Sequence, residues 1–178
     1  MKKTLNEELN RLTVEEFQKA QKLPVVVVLD NIRSQSNIGS FFRTGDAFLI
    51  EKIYLCGITA TPPHREIQKT ALGATETVTW EYSEKTNDCI NQLKKQGYTI
   101  IAVEQVKCSV SLADFQPRSA NKLALIFGNE LNGVDQSIVD LCDGCLEIPQ
   151  SGTKHSLNVS VAGGIVLWKI YSELLISH

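Results

Sequence analysis

Short runs of β-branched and aliphatic residues alternate with segments of helical spacing along most of the chain. Runs of the first kind predict β-strands over residues 25–30, 52–56, 77–81, 99–104, 122–127 and 145–148. Segments of the second kind predict helices over residues 38–48, 64–72, 84–96, 135–141 and 157–176. This alternation predicts an α/β fold with a mostly parallel sheet that helices cover on both faces.

The amino-terminal segment follows a different pattern. Leu5, Leu9 and Phe17 are spaced for one helical face between charged residues, and Thr13 followed by glutamates marks a second helix start. We therefore predict two short helices in an arm over residues 1–23, followed by a single domain over residues 24–178. Such an arm is typical of a solvated helix packed on its domain, and an RNA- or partner-binding element is the alternative.

Length and composition fit this single-domain interpretation. The chain has 178 residues, of which 43% are hydrophobic and 21% charged, as in ordinary globular proteins. Its longest uninterrupted apolar run, residues 25–29, is much shorter than the roughly 20 residues needed to cross a bilayer. The first ten residues are charged and lead into no apolar stretch. We expect a soluble, cytoplasmic protein with no membrane partner.

Charge and cysteine content narrow the possible chemistry. Eighteen Lys and Arg against twenty Asp and Glu leave a net charge of −2, so any nucleic-acid site must be a local patch. The five cysteines are scattered, which favours reduced thiols. Cys142 and Cys145 have C-x-x-C spacing. We expect Cys142 to end a helix and Cys145 to begin a buried strand, and the alternative is a redox centre or half a zinc site. We predict no metal site.

The loop after the first predicted strand carries the first polar cluster. It lacks the G-x-G-x-x-G turn that a dinucleotide site needs, since only Gly39 is present. Asn37 is a candidate N-cap, and a helix start with free N–H groups near Arg33 and Arg43 suits an anion such as a phosphodiester. The alternative is an ordinary cap and a surface ion pair.

The fifth predicted strand ends abruptly at Gly128, Asn129 and Glu130. No Lys-Ser/Thr of a P-loop follows, which argues against a nucleoside triphosphate. Gly128 would let a flat ligand approach the backbone, and Glu130 would accept hydrogen bonds from a hydroxyl or a cation. A helix-entry turn capped by Asp135 is the alternative interpretation.

A third polar cluster precedes the last predicted helix. Ser156, Asn158 and Ser160 alternate there with apolar residues, and buried polar side chains must find a ligand or each other as partners. The small residues at 162–164 would weaken a helix interior, so we expect them to pack closely against another element.

Taken together, the three segments resemble the SpoU (TrmH-like) family of RNA ribose 2′-O-methyltransferases in the SPOUT superfamily. The family's first motif, N-x-G-x-x-x-R-T, is matched by Asn37, Gly39, Arg43 and Thr44. A strand ending in G-N-E matches residues 128–130, and I-P-x-x-G-x-x-x-S-L-N-V-S matches residues 148–160. The resemblance covers residues 24–175. It departs from the family at Leu131, where many relatives carry glycine.

The resemblance implies a C-terminal trefoil knot, S-adenosylmethionine as the cofactor and a homodimer. The motif-one arginine of one chain would then reach the cofactor site of its partner. Residues implied to bind the cofactor are Val103, Gly128, Ile148, Ser156 and Leu157. The substrate would be a tRNA or rRNA and not DNA, because only RNA has a 2′-hydroxyl.

The same resemblance implies a catalytic set of Arg43, Asn37, Glu130, Ser156 and Asn158. A guanidinium with a pKa above about 12 resists deprotonation, which favours Arg43 as a clamp on the neighbouring phosphate over a general base. An inactive RNA-binding or assembly protein of the same fold is the main alternative. A nucleotide-dependent oxidoreductase is a weaker one, because the first loop lacks the phosphate-binding glycines.

Overall fold

A computed structural model describes residues 2–9, 11–117 and 122–176. Its centre is a seven-stranded sheet in the order β3-β2-β1-β6-β4-β7-β5, and each pair of neighbouring strands is parallel. The strands are β1 (Leu23–Asp30), β2 (Ile50–Cys56), β3 (Trp80–Ser83), β4 (Tyr98–Val103), β5 (Val110–Ser111), β6 (Lys122–Phe127) and β7 (Gly144–Glu147). The predicted parallel α/β architecture is confirmed.

Seven α-helices and a short 3-10 helix (Asn6–Leu9) accompany the sheet in the described ranges. The α-helices are α1 (Val14–Lys19), α2 (Gln35–Ala47), α3 (Arg65–Ala71), α4 (Ala74–Thr77), α5 (Thr86–Lys95), α6 (Gln136–Val139) and α7 (Val159–Ile176). In the part of the chain that the structure describes, no helix combines the length and apolar character needed to span a membrane.

The alternation of side chains along β1 shows why both faces of the sheet are covered. Val27 and Leu29 point into a core shared with Phe41 of α2. Val28, between them, points to the opposite face and joins a second core with Ile90 of α5. Because β1 is central and buried on both sides, its apolar run needs no polar positions.

One predicted element was wrong, and one strand was not predicted. The chain forms α4 where we predicted the start of a strand over residues 77–81, and β3 begins at Trp80. Leu72 and Gly73 adopt left-handed conformations that end α3 and turn the chain into α4, and Thr77 then donates to Asp46 Oδ2 at 2.5 Å. The two-residue strand β5 is too short for a sequence pattern to indicate. The other predicted elements are present with shifted ends.

The amino-terminal helix is anchored by one residue. Thr13 and Glu16 form a reciprocal capping box, which confirms the helix start predicted at Thr13. Phe17 is buried in the core of the domain, whereas Leu5, Leu9 and Leu12 are exposed. The apolar face predicted for residues 1–22 therefore packs on the domain through α1 alone.

Glycines allow α2 to pack closely against its neighbours. A β-carbon at Gly39 would lie 2.3 Å from the backbone oxygen of Ile67 in α3, and one at Gly163 would lie 2.3 Å from Cε1 of Phe41. The predicted close packing of the small residues at the start of α7 is thus confirmed for Gly163, and it occurs within the chain. Gly164, by contrast, faces open space.

We expect Gly39→Ala to lower the free energy of unfolding by about 1–3 kcal/mol, because backbone atoms of α3 cannot move aside for the new methyl group. Alanine would otherwise stabilise a helix interior by about 1 kcal/mol, so steric overlap decides the sign. Urea denaturation measures the change. Gly144→Ala is the control, since its β-carbon would make an ordinary 3.5 Å contact with Ile101. Equal stability of the two variants would contradict this account of Gly39.

Candidate active site

A cavity of about 560 Å³ opens at the carboxyl ends of β4, β6 and β7. Such edges of parallel sheets are where ligands bind in α/β proteins. All five residues predicted to bind a cofactor line this cavity, namely Val103, Gly128, Ile148, Ser156 and Leu157. The sheet and the segment before α7 therefore bring together residues from three distant parts of the sequence.

The loop over residues 128–134 forms one wall of this cavity. A β-carbon at Gly128 would lie 2.2 Å from the backbone of Gly133 and Val134, so glycine is needed here for the loop to fold back on itself. This is a different reason from the predicted approach of a flat ligand. Gly133 has a φ of 69°, and Glu104 Oε2 accepts the backbone N–H of Val134 at 2.9 Å.

Leu131 is accommodated in this loop without strain. The left-handed position of the loop is Gly133, and the backbone N–H of Leu131 donates to Asn129 Oδ1 at 2.9 Å. The Leu131 side chain is 76% exposed and lines the cavity. The departure from the family pattern therefore places an apolar group at the cavity mouth.

The carboxylate of Glu130 accepts hydrogen bonds at the amino end of α2. It accepts the backbone N–H groups of Arg33 and Ser34 at 3.0 and 2.9 Å, and Nδ2 of Asn37 at 3.1 Å. The prediction that a helix start at Asn37 offers free N–H groups to a phosphodiester was wrong, because α2 begins earlier and the N–H of Ile38 donates to the carbonyl oxygen of Ser34 at 3.1 Å. Ser34, not Asn37, is the N-cap, since its side chain accepts the N–H of Asn37.

Because Asn37 lies inside α2, its side chain is available to join the third motif. Its Oδ1 accepts Asn158 Nδ2 at 3.2 Å and Ser160 Oγ at 3.3 Å. Asn158 Oδ1 in turn accepts the backbone N–H of Ser160 at 2.9 Å at the start of α7. Glu130, Asn37 and Asn158 thus form one hydrogen-bonded chain across the three motifs, and the polar residues 158 and 160 pair with each other and with Asn37.

Arg43 and Ser156 are placed differently from the rest of the predicted catalytic set. Arg43 is exposed on α2 and is not among the residues that line the cavity. It follows Asn37 by six residues, so the two side chains leave a helix of about 3.6 residues per turn in different directions. Ser156 lines the cavity but is exposed, contrary to the expectation of a buried, paired hydroxyl.

The lining of the cavity is acidic. Glu104, Glu130 and Glu147 contribute carboxylates, whereas none of the described residues that line it is lysine or arginine. Burial disfavours the charged form of Glu130, but the N–H groups of Arg33 and Ser34 outweigh this effect, so the pKa of Glu130 lies below its ordinary value. A cavity of this charge favours a cationic ligand and disfavours a polyphosphate.

Sequence patterns had not indicated several residues that line the cavity, including Glu104, Gln105, Asn132 and Glu147. Glu104 follows the carboxyl end of β4, which is the one signal that would have pointed to it. Gln105 Nε2 donates to the backbone oxygen of His155 at 3.1 Å and so ties the segment before α7 to β4.

The C-x-x-C pair has the properties of structural thiols. Burial, followed by the proximity of Cys145, raises the pKa of Cys142 to about 11, and burial also raises the pKa of Cys145. Thiols of redox C-x-x-C centres have lowered pKa values instead. Cys145 lies at the start of β7, as the structural interpretation predicts, whereas Cys142 lies beyond the end of α6 at Val139.

Comparison with known proteins identifies this arrangement. Residues 24–168 match the model of the SpoU rRNA Methylase family. The chain is 33% identical over 171 residues to the tRNA (guanosine(18)-2′-O)-methyltransferase of Aquifex aeolicus, an alignment that covers 93% of this chain and 76% of the relative. It is 32% identical to the mouse tRNA (guanosine(18)-2′-O)-methyltransferase TARBP1 over 85% of this chain and 10% of that protein.

Among solved structures, an AdoMet-bound rRNA methyltransferase from Sinorhizobium meliloti superposes with a TM-score of 0.77 and 26% identity. The superposition covers 86% of this chain and 58% of that one. The chain therefore spans about a tenth of the mouse relative and little more than half of the S. meliloti chain.

The parallel sheet and the comparisons place the chain in one family of α/β domains. The chain belongs to the SpoU rRNA Methylase family. This confirms the resemblance and the predicted fold class, and the C-terminal trefoil knot is the arrangement that membership implies.

We expect Glu130→Gln to lower the free energy of unfolding at pH 7 by about 1–2 kcal/mol, the usual value of hydrogen bonds to a charged group after allowance for partial solvent exposure. Because the pKa of Glu130 is lowered on folding, its ionised form stabilises the protein above the unfolded-state pKa of about 4.3. This stabilisation is lost as the pH falls through the lower pKa of the folded state.

The difference between wild type and Glu130→Gln should therefore shrink below about pH 4, as urea denaturation across the pH range would show. Glu84→Gln, which removes an exposed carboxylate, is the control. A difference that stays constant down to pH 3 would show that the carboxylate charge of Glu130 does not stabilise the fold.

Proposed function

We propose that this chain is an S-adenosylmethionine-dependent methyltransferase that modifies the ribose 2′-hydroxyl of a guanosine in tRNA or rRNA. The observation that carries the proposal is the hydrogen-bonded chain Glu130–Asn37–Asn158 beside an acidic cavity. The relatives in Aquifex and mouse are named as guanosine 2′-O-methyltransferases, which supports the substrate class.

The lining of the cavity suits the chemistry of S-adenosylmethionine. When bound, this cofactor supplies a methyl group on a positively charged sulfonium. The carboxylates of Glu104, Glu130 and Glu147 complement a cation, and the cofactor carries no phosphate that they would repel. Val103, Gly128, Ile148, Ser156 and Leu157 are the residues proposed to hold it, and the AdoMet-bound relative from S. meliloti supports this.

The residues of the chain contribute mainly by positioning. Asn37 is fixed on both sides by Glu130 and Asn158, so this part of the site is arranged before the RNA binds. Correct placement of two reactants can lower the activation barrier by roughly 7–11 kcal/mol, so positioning the cofactor and the ribose is the main task of these residues. Ser156 lines the cavity, with its hydroxyl accessible to a ligand. Arg43 is the proposed clamp on the phosphate next to the reacting hydroxyl.

We further propose that the protein acts as a homodimer in which Arg43 serves the cavity of the partner chain. Arg43 does not line its own cavity. Val161, Ile165 and Trp168 form an exposed apolar stripe along α7, with exposures of 51%, 39% and 56%. A self-complementary stripe of this kind suits a twofold interface, and α2 packs beside α7.

The remaining assignments belong to the same proposal. Residues 1–23 form an arm and residues 24–178 the catalytic domain, in agreement with a family match that begins at residue 24. A cytoplasmic location agrees with five cysteines that are all free and with RNA substrates of this kind.

The purified protein should bind S-adenosylmethionine in calorimetry and transfer its methyl group to tRNA or rRNA, with the product mapped as a 2′-O-methylguanosine. Arg43→Lys should lower kcat by about 10²–10³-fold, because lysine keeps the charge but loses the planar fork. Cofactor affinity should stay within twofold. Arg65→Lys, the same change on the exposed surface of α3, is the control. Cofactor uptake without transfer to any RNA would favour the inactive RNA-binding alternative.

Mixing Arg43→Ala with Glu130→Gln, each of which we expect to be inactive alone, tests whether Arg43 serves the cavity of the partner chain. Arg43→Ala keeps an intact cavity, and Glu130→Gln keeps an intact Arg43, so one site in each heterodimer is complete. After joint unfolding and refolding, the mixture should recover about a quarter of the wild-type rate, because half of the dimers are mixed and each has one complete site. Homodimers of either variant are the controls. A mixture as inactive as its components would place Arg43 in the cavity of its own chain or outside catalysis.

A further inference from the structure

A second cavity, of about 490 Å³, opens at the carboxyl ends of β1 and β6. These strands are neighbours, yet α2 leaves β1 toward one face of the sheet and α6 leaves β6 toward the other. Neighbouring strands whose connections diverge in this way form a topological switch point, the usual place for ligands in open parallel sheets. The cofactor proposed above is assigned to the first cavity and leaves this one unexplained.

The two cavities share a wall. Asn129, Asn132 and Gly133 line both, so the loop over residues 128–134 stands between them. Glu130, the residue that joins the three motifs, belongs to the same loop. A nucleotide whose ribose lies at Glu130 therefore has the second cavity on the other side of a single loop.

The ionisable groups of the second cavity are hydrogen-bond acceptors. Asp30 is 2% exposed and lines the cavity. Thr86 and Asn31 both donate to its Oδ1, which leaves Oδ2 with no donor among the described residues. Asp135 caps α6 through Oδ1, which accepts from Ser137 at 2.9 and 2.7 Å, and its Oδ2 is likewise without a donor in the described ranges.

The amides at the cavity are largely committed to the fold. Asn31 Oδ1 accepts the backbone N–H of Ile58 at 3.1 Å, and Asn129 Nδ2 donates to the backbone oxygen of Asn31 at 2.8 Å. These amides shape the cavity and fix its edge. The carboxylate oxygens that have no donor in the described ranges, Oδ2 of Asp30 and Oδ2 of Asp135, are therefore available to accept hydrogen bonds from a ligand.

We propose that this second cavity reads the base of the methylated nucleotide and that it selects guanine. The inference rests on the proposed function. Guanine presents two adjacent donors, N1–H and the 2-amino group, on its Watson–Crick edge, and carboxylate oxygens accept such donors. Enzymes and RNA-binding proteins commonly read an unstacked base by this edge. Phosphates are excluded, because Asp30 and Asp135 would repel them.

The test uses one RNA with guanosine or inosine at the methylated position. Inosine lacks the 2-amino group but has the same ribose and the same N1–H. We expect wild type to prefer guanosine by about tenfold or more in kcat/KM, the usual effect of one hydrogen bond to a charged group. Asp135→Asn and Asp30→Asn should reduce this preference to about threefold or less, with S-adenosylmethionine affinity measured by calorimetry unchanged.

Asp135→Asn keeps a good capping residue on α6, so it tests the proposal even where Asp30→Asn lowers stability. Asp114→Asn, an exposed change outside both cavities, is the matched control and should keep the wild-type preference. Equal rates on guanosine and inosine by wild type, an unchanged preference in Asp135→Asn, or methylation of a nucleotide other than guanosine would overturn the inference. The first two results would leave the proposed function intact, and methylation of another nucleotide would leave the methyl transfer to RNA intact but not the choice of guanosine. Failure to methylate any RNA would refute the proposed function itself.

Discussion

The carboxylate of Glu130 at the amino end of α2 is the contact on which the arrangement of the site depends. The N–H groups that it accepts belong to the N-cap residue Ser34 and to Arg33 just before it, and a negative charge close to a helix start is stabilised by the helix dipole. Here the anion comes from the chain itself, from a loop 97 residues further along. Its charge also orients Asn37, and Asn37 orients Asn158. Three segments that are remote in sequence are therefore held in register by one ionised group.

These hydrogen bonds of Glu130 change the roles that can be assigned to the residues of the first motif. Asn37 links two loops through hydrogen bonds, and Gly39 lets α2 lie close to α3. Arg43 is the charged residue of the motif, and it is exposed on α2 outside the cavity. Such an outward-facing arginine agrees with the proposal that a second molecule completes the site. The exposed stripe on α7 provides a surface for such a partner.

How far the sequence could predict this structure depends on the range of the interactions involved. β6 was predicted with its observed bounds, because a continuous apolar run is a local signal of a buried strand. The choice between Ser34 and Asn37 as the cap of α2 could not be made locally, since both residues are good caps. The hydrogen bonds from Arg33 and Ser34 to Glu130 could not be predicted for a different reason, because Glu130 lies far away in sequence. Residues 77–81 were assigned wrongly to a strand, because the hydrogen bond from Thr77 to Asp46 joins residues that are distant in sequence.

The distribution of charge agrees with the proposed action on RNA of a chain whose net charge is −2. Both cavities are lined by carboxylates, Glu104 and Glu147 in the first and Asp30 and Asp135 in the second, while Arg33 and Arg43 are exposed. A polyanionic backbone is thereby kept outside, where the arginines are, and only uncharged or cationic groups are favoured inside. The loop over residues 128–134 divides the two interior environments, so a nucleotide lying across it would present its ribose to one side and its base to the other. Recognition of this kind uses the charge of the RNA to exclude wrong orientations, and it requires no overall positive charge on the protein.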